Sequence, residues 1–400
     1  MTEPPTNRSA SPLDALAARA LDDLARAGLL RTRVPADPAT DRTASDARRT
    51  VNLASNDYLG LAGHPEITAA AHNALDRWGA GSTASPLVCG YRPCHAELED
   101  RLAEFKGYPA ALVFTSGYAA NAGVFAALLG RDATVFADRL AHASLLDGIR
   151  LSGARLIRFR HNDPEHLRAA LAAAPTSGTR MIVTESVFSM DGDLAPLSEL
   201  ADLADEYDAI LMVDEAHATG LYGPAGAGRV SELELSGRVP ICMGTLSKAL
   251  GSAGGYIACS RPVREVLVNR ARSYVYSTAL PPAAAGAALG ALRLLRDHPV
   301  WGRAVRARAE SFRTELRAGG APAGGLDSPI VPIPVGDPMR VMEVARRVRE
   351  EGILVGAIRP PTVPAGTARL RASVSLAHDP ADLQLAARVI AGALRENSSS

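Results

Sequence analysis

Between about Asn52 and Leu280, short β-prone runs alternate with alanine- and leucine-rich helical stretches, and no other feature constrains the fold so tightly. The runs are ALVFT, TVFAD, RLIRF, MIVTES, AILMVDEAH, VPICMGT and GYIAC. Such apolar strands, mostly alternating with helical stretches, call for a largely parallel α/β sheet covered by helices. After about residue 284 the pattern changes. A helical stretch to Leu316 is followed by segments near SPIVPIPV, GILVGAI and ARLRASVS, with a helix around Met339 to Glu351 among them. That reads as a smaller α+β C-terminal domain. At the other end, Leu13, Leu16, Ala17, Ala20, Leu21 and Leu24 recur at helical spacing, predicting an amphipathic helix from Leu13 to Leu30. The expected division is a tail and helix over 1–50, a large domain over 51–283 and a small domain over 284–400. A chain of 400 residues is long enough for two structural units.

Charge and cysteine usage exclude several classes. The 43 basic and 43 acidic side chains cancel, so nothing steers the whole molecule towards nucleic acid or an anionic membrane, and any anion site must be local. Cys89, Cys94, Cys242 and Cys259 form no C-x-x-C pair, which gives no support to a zinc or redox site; no metal is expected, and a reducing cytoplasm is the expected compartment. Residues 1–12 lack the basic start and apolar core of a signal peptide and are expected to be a disordered tail. Ser398 to Ser400 are expected to fray. The stretch from Ala279 to Leu295, interrupted by Pro281 and Pro282, falls short of the roughly 20 apolar residues of a membrane span.

The strand AILMVDEAH ends on Asp214 and His217, where ligands bind in open α/β sheets. Alone, an acid there simply caps the next helix. Lys248 follows 34 residues later in TLSKALGSAGGY, after the apolar run VPICMG. A lone lysine is ordinarily solvated. Thr245 and Ser247 beside it, with glycines following, change that reading, because short hydroxyls and exposed backbone N–H groups suit a phosphate. One cofactor uses all these parts. A pyridoxal Schiff base needs a lysine amine for the aldehyde and a carboxylate to keep the pyridine nitrogen protonated; Lys248 and Asp214 supply them, and His217 is placed to meet the ring's phenolic oxygen.

Other segments offer further contacts. TSGYAAN (115–121) puts a Ser-Gly turn at a helix start, making Gly117 and Tyr118 candidate phosphate contacts, although Ser and Gly are also ordinary caps. His142 lies just past TVFAD, where an imidazole stacks on a ring or relays a proton; as a lone residue it would be structural. Ser189 also follows a strand and is a candidate donor to the ring or phosphate. Near the C-terminus, a guanidinium fork in ARLRASVS suits a substrate carboxylate, and spacing leaves Arg369 and Arg371 equally eligible. The prolines of AIRPPTVPAG predict a stiff loop with Thr362 at its bend.

Taken together, SNDYLGL (55–61), GSTASPLVCGYRPCHAELE (81–99), TSGYAAN, LAHASLLDG, ESVFSMDGD, VDEAHATGLYGPAGAG (213–228) and TLSKALGSAGG resemble the α-oxoamine synthases among the fold-type-I pyridoxal-phosphate enzymes. The resemblance covers about residues 13–390. Within that family, AIRPPTVPAGTARLR (357–371) and the GY at 90–91 are most similar to the branch that condenses L-alanine with a pimeloyl thioester in biotin biosynthesis. Pro86 departs from the arginine of the family's usual S-R-L-V run. The resemblance implies pyridoxal phosphate on Lys248, Asp214 at the pyridine nitrogen, His217 at the phenolic oxygen and His142 stacked on the ring. Ser189, Thr245, Gly117 and Tyr118 become further cofactor contacts. It favours Arg371 for the amino-acid carboxylate, and implies Asn56, Arg31 and Thr362 as substrate contacts, with Arg33 close to Arg31. The implied partners are L-alanine and a pimeloyl group on coenzyme A or a carrier protein, with a homodimer whose sites lie at the interface.

Relatives such as 5-aminolevulinate synthase and 2-amino-3-ketobutyrate CoA ligase share the cofactor motifs and are the alternative reading. A non-catalytic partner subunit is a remoter one, because a scaffold has no need of Lys248, Asp214 and His217 together. A nicotinamide site would need a G-x-G-x-x-G turn after an early strand, and GPAGAG (223–228) has the wrong spacing. No G-x-S-x-G, H-E-x-x-H or G-K-[ST] motif is present.

Overall fold

A computed structural model describes residues 11–33 and 50–395. Of the expected tail, residues 1–10 lie outside the described residues, as do Ser398 to Ser400. Ser11 and Pro12 belong instead to the first helix, α1 (Pro12–Arg26). Ser11 caps it, its Oγ accepting from the Asp14 backbone N–H at 3.1 Å while Asp14 reaches back to the Ser11 N–H at 3.2 Å, a reciprocal pair that satisfies two otherwise free donors. The helix stops at Arg26, short of Leu30, because Gly28 takes a positive φ of 66°.

The chain then runs through β1 (Val51–Asn52), α2 (Pro65–Trp78), α3 (Pro93–Lys106), β2 (Ala110–Phe114), α4 (Gly117–Leu128), β3 (Thr134–Asp138) and α5 (Ala143–Ser152). Next come β4 (Arg155–Phe159), α6 (Pro164–Ala173), β5 (Arg180–Glu185), α7 (Leu197–Glu206), β6 (Ile210–Asp214), α8 (Arg229–Glu232), β7 (Ile241–Thr245) and β8 (Gly255–Cys259). The short helices α9 (Arg261–Arg270) and α10 (Arg272–Val275) lead to α11 (Pro282–Asp297) and α12 (Trp301–Ala318). The remainder is β9 (Ile330–Gly336), α13 (Pro338–Glu350), β10 (Ile353–Leu354), β11 (Gly356–Ile358), β12 (Ala368–Ser373) and α14 (Pro380–Arg395). Pro86 opens a single helical turn, Pro86–Gly90, where a missing N–H costs nothing.

Seven strands form the main sheet in the order β2-β8-β7-β6-β5-β3-β4. The pairs from β7 to β4 are parallel, as the alternating pattern predicts. β8 is antiparallel to both neighbours, β7 and β2. Only residues 246–254 connect β7 to β8, too few for the helical crossover that a parallel return requires. Alternate strand residues feed two cores. On β6, Leu211 and Val213 join one buried cluster and Met212 the other, and β2 splits likewise with Ala111 and Val113 against Leu112 and Phe114. Burying each such Val or Leu stabilises the fold by about 1.5–3 kcal/mol, which pins the register of the whole sheet.

A second sheet, β11-β12-β9, is antiparallel throughout, and β1 pairs with β10 in parallel. The start of the large region is thereby tied to the C-terminal one. The expected boundary at 283–284 falls in the first turn of α11, which packs on α2 and α3. No helix of the described residues is long and apolar enough to cross a membrane.

Candidate active site

The parallel strands end in polar groups on one edge of the main sheet. Asp214 closes β6, Glu185 closes β5 in register with it, and Thr245 closes β7. The apolar runs stop there because Asp214 turns the chain locally, its Oδ1 accepting from the Ala216 N–H at 2.9 Å. Its Oδ2 accepts from Asn121 Nδ2 at 2.9 Å. Asn121 also donates to Ser144 Oγ at 2.9 Å, and that oxygen lies 2.7 Å from His142 Nδ1. His142 and Asp214, far apart in sequence, are thus held in one hydrogen-bonded set.

Lys248 sits in the loop between β7 and β8, with its Nζ 2.7 Å from His217 Nε2. Burial pulls the lysine down to about 8; Arg371 adds to the effect, while Asp214 and Glu185 oppose it. The amine is therefore available as a nucleophile near neutral pH. Burial, together with the cationic Lys248 and Arg371, holds His217 well below its usual value, so its imidazole is neutral. Burial lowers His142 as well. Glu185 moves the other way: desolvation and the adjacent Asp214 push its carboxyl well above the ordinary range.

An anion cradle completes this end. Ser116 caps the twelve-residue helix α4, and Gly117 follows it. A Cβ at Gly255 on β8 would lie 2.6 Å from the backbone of Gly117, so the tight junction of α4 with the sheet requires glycine at 255. Thr245 Oγ1 is 2.8 Å from Ser247 Oγ. A cavity of about 260 Å³ is lined by Gly117, Tyr118, His142, Asp214, His217, Thr245 and Lys248, joined by Ser116, Asn121, Ser144, Glu185 and Ser247. The donor set fits pyridoxal phosphate: an amine for its aldehyde, a carboxylate for its ring nitrogen, and hydroxyls beside a helix N-terminus for its phosphate. Two buried atoms, Asn121 Oδ1 and Glu185 Oε1, have no partner, which suits a pocket built for a polar ligand.

A larger cavity of about 750 Å³ meets the first at His142 and is lined by Arg31, Ser189 and Thr362, with Arg139 and Arg158. Arg31 Nη2 is 3.5 Å from Thr362 Oγ1, whereas Arg33 is not among the lining residues. Ser189 therefore lies in the outer cavity rather than among the residues around Asp214. Its carbonyl accepts from Arg371 Nε at 2.6 Å. Arg371, on β12, is 6% exposed, donating to Asn56 Oδ1 at 3.0 Å and Ser373 Oγ at 2.9 Å. Among the described residues, no carboxylate pairs with it. Arg369 is instead committed to Asp191 and the Thr367 carbonyl. The two arginines that spacing left equal thus differ in their neighbours: Arg369 is paired with a carboxylate, and Arg371 meets only neutral groups.

Tyr58, Asn121, Ser144 and Glu185 belong to the site without having been singled out. Asn121 was legible: it stands one helical turn after Gly117 and so shares its face. Tyr58 lies within SNDYLGL, but nothing in that run shows its hydroxyl meeting His217. Glu185 reads as an ordinary strand-end acid until its register with Asp214 is known.

The aminotransferase class I and II family model matches residues 48–390. The 8-amino-7-oxononanoate synthase of Geobacter sulfurreducens is 49% identical over 376 residues, spanning 93% of this chain and 96% of that protein. A solved structure of SPT with a PLP internal aldimine superposes with a TM-score of 0.89 at 31% identity, covering 98% of this chain and 100% of that one. The crystal structure of 8-amino-7-oxononanoate synthase from Francisella tularensis gives a TM-score of 0.76 at 28% identity, covering 87% and 99%. The chain therefore belongs to the aminotransferase class I and II family and, within it, to the α-oxoamine synthases, in the group of the 8-amino-7-oxononanoate synthases.

Proposed function

We propose that the chain condenses L-alanine with a pimeloyl thioester, carried by coenzyme A or a carrier protein, to give 8-amino-7-oxononanoate, carbon dioxide and free thiol. The observation that carries the reading is the meeting of two cavities at His142. One holds a half-buried, nucleophilic lysine near a carboxylate, and the other is roomy, with arginines at its wall. A new carbon–carbon bond joins the alanine α-carbon to the acyl carbonyl carbon. The thioester carbon–sulfur bond and the bond from the α-carbon to its carboxylate both break, and the thiolate takes up a proton.

Pyridoxal phosphate, when bound, supplies the electron sink that stabilises negative charge at the α-carbon. Lys248 would hold its aldehyde through Nζ, Asp214 would keep its ring nitrogen protonated, and His217 would meet its phenolic oxygen. His142 would cover the ring, while Ser116, Gly117, Thr245 and Ser247 would take the phosphate. Arg371 and Asn56 orient the amino-acid carboxylate. With the amino acid bound, Lys248 Nζ would take the α-proton, and its lowered basicity would let it give that proton back. His142, at the junction, is placed to hold the acyl carbonyl. Arg31 and Thr362 bind the acyl donor.

A homodimer is part of the same reading. In α1, no residue is buried, and Leu13, Leu16, Leu21 and Leu24 are exposed, an apolar stripe suited to a second subunit. Four free thiols, three of them buried, are consistent with a reducing cytoplasm. The deciding experiment is an assay of purified protein with L-alanine, glycine and L-serine against pimeloyl, succinyl and acetyl thioesters. Thiol and carbon dioxide released in equal amounts from L-alanine and the pimeloyl donor is the expected result. A preference for glycine with a short donor would reject the pimeloyl assignment while retaining the cofactor chemistry.

A further inference from the structure

Tyr58 has no assigned part in the chemistry above, yet it is fully buried at the end of the SNDY run. Its hydroxyl lies 2.7 Å from His217 Nδ1, 3.1 Å from Asn56 Oδ1 and 3.4 Å from Arg371 Nη2. The other side of His217 faces Lys248, 2.7 Å away. One continuous set of hydrogen bonds thus runs from the half-buried lysine amine, through His217 and the buried Tyr58, to the guanidinium that awaits the amino-acid carboxylate. We propose that Tyr58 is a positioning residue that fixes the tautomer of His217 and couples carboxylate binding at Arg371 to the basicity of the nitrogen at Lys248. This rests on the cofactor and carboxylate roles given to Lys248 and Arg371.

The proton inventory supports the assignment. A guanidinium has only donors, so Arg371 must donate to the Tyr58 oxygen. That leaves the Tyr58 O–H to point away from the cation. Its one proton has two acceptors in reach, Asn56 Oδ1 at 3.1 Å and His217 Nδ1 at 2.7 Å, and the shorter contact takes it, while Asn56 Oδ1 is served by Arg371 Nη1 at 3.0 Å. Tyr58 therefore donates to Nδ1, and the single proton of the neutral imidazole sits on Nε2, aimed at Lys248 and the cofactor. Burial keeps the phenol protonated even though Arg371 works against it, so the donor persists across the working pH range.

When a carboxylate neutralises Arg371, the guanidinium polarises the Tyr58 hydroxyl less. The hydroxyl then donates more weakly to His217, and Nε2–H in turn becomes a weaker donor towards the lysine nitrogen. Two consequences follow: the positive potential at that nitrogen falls, and its proton affinity rises. The other charged or titratable groups facing Lys248 and His217 are Asp214, Glu185 and His142, none of which contacts Arg371.

The test uses the holoenzyme and propionate, which is alanine without its amine and so cannot displace Lys248. In the wild type, saturating propionate is expected to raise the midpoint of the pH titration of the lysine-bound cofactor's absorption band. In Tyr58→Phe, which keeps the ring and loses only the hydroxyl, that shift should vanish, the propionate-free midpoint should move, and affinity for L-alanine should fall about tenfold. A Tyr58→Phe protein that titrates like the wild type and keeps its propionate shift would overturn the proposal. So would a wild type with no propionate shift, a result that does not depend on whether the variant folds. An absent absorption band would reject the lysine–cofactor reading itself and is distinguishable from both.

Discussion

At the scale of single residues, the site depends on charges made unusual by burial. Asp214 is 4% exposed and tethered by Asn121 and the Ala216 amide, so Asp214→Asn should keep the geometry and remove only the charge. Cofactor should still bind, and turnover should fall by about 10²–10³; near-normal steady-state rates would remove Asp214 from the mechanism. Arg371→Ala should raise the half-saturating L-alanine concentration by about 10–100-fold, the cost of a charge-assisted contact, while Arg369→Ala should leave it nearly unchanged. Ranking the two variants by alanine titration decides between them. For Lys248, the sign of the shift gives a pH prediction. An amine lowered to about 8 becomes uncharged above that pH, so capture of added cofactor by the apoenzyme should quicken as pH rises through about 8 and then level off. A capture rate still climbing above pH 10 would show an ordinary lysine.

At the scale of elements, the loop that follows β6 is anchored by a charge pair that no motif revealed. Lys106 at the end of α3 and Glu215, beside Asp214, are 1% and 0% exposed and paired with each other. Glu215 Oε1 also accepts from the Val230 N–H at 2.8 Å. Removing one partner of such a pair leaves an uncompensated buried charge, which is what makes it hold. Gly228 passes directly over it with φ of 117°, and a Cβ there would come 2.1 Å from Glu215 Oε2. Gly228→Ala should therefore cost about 3–5 kcal/mol in denaturant unfolding, combining backbone strain with overpacking. A loss below 1 kcal/mol would show that the pair moves aside. Gly228, the last glycine of the GPAGAG run that fails as a dinucleotide turn, has its explanation in this crowding.

At the scale of the whole molecule, substrate choice and assembly are the open expectations. One methyl group in a fitted pocket is worth roughly 1–3 kcal/mol, so glycine should compete with L-alanine at about 10–200-fold lower specificity rather than be excluded. Sedimentation should find twice the chain mass, and Leu16→Glu with Leu24→Glu on α1 should weaken that assembly; an unchanged dimer would place the interface elsewhere.

Much of the fold is legible in the sequence. Apolar runs bounded by helical stretches determined a largely parallel sheet, because backbone pairing and burial on both faces leave few other solutions. Polar residues just past those runs marked Asp214, His142, Thr245 and Lys248, because strand ends are where a sheet can expose chemistry. Three things were decided only by tertiary structure. The antiparallel turn of β8 depends on a loop length set against neighbouring strands. The difference between Arg371 and Arg369 depends on Asp191, which is 178 positions away from Arg369 in the chain and pairs with it. The place of Tyr58 between His217 and Arg371 depends on three segments meeting in space. Local patterning encodes which face a residue takes; which distant charge or hydroxyl it meets is set by packing, and at this site those meetings set the protonation states.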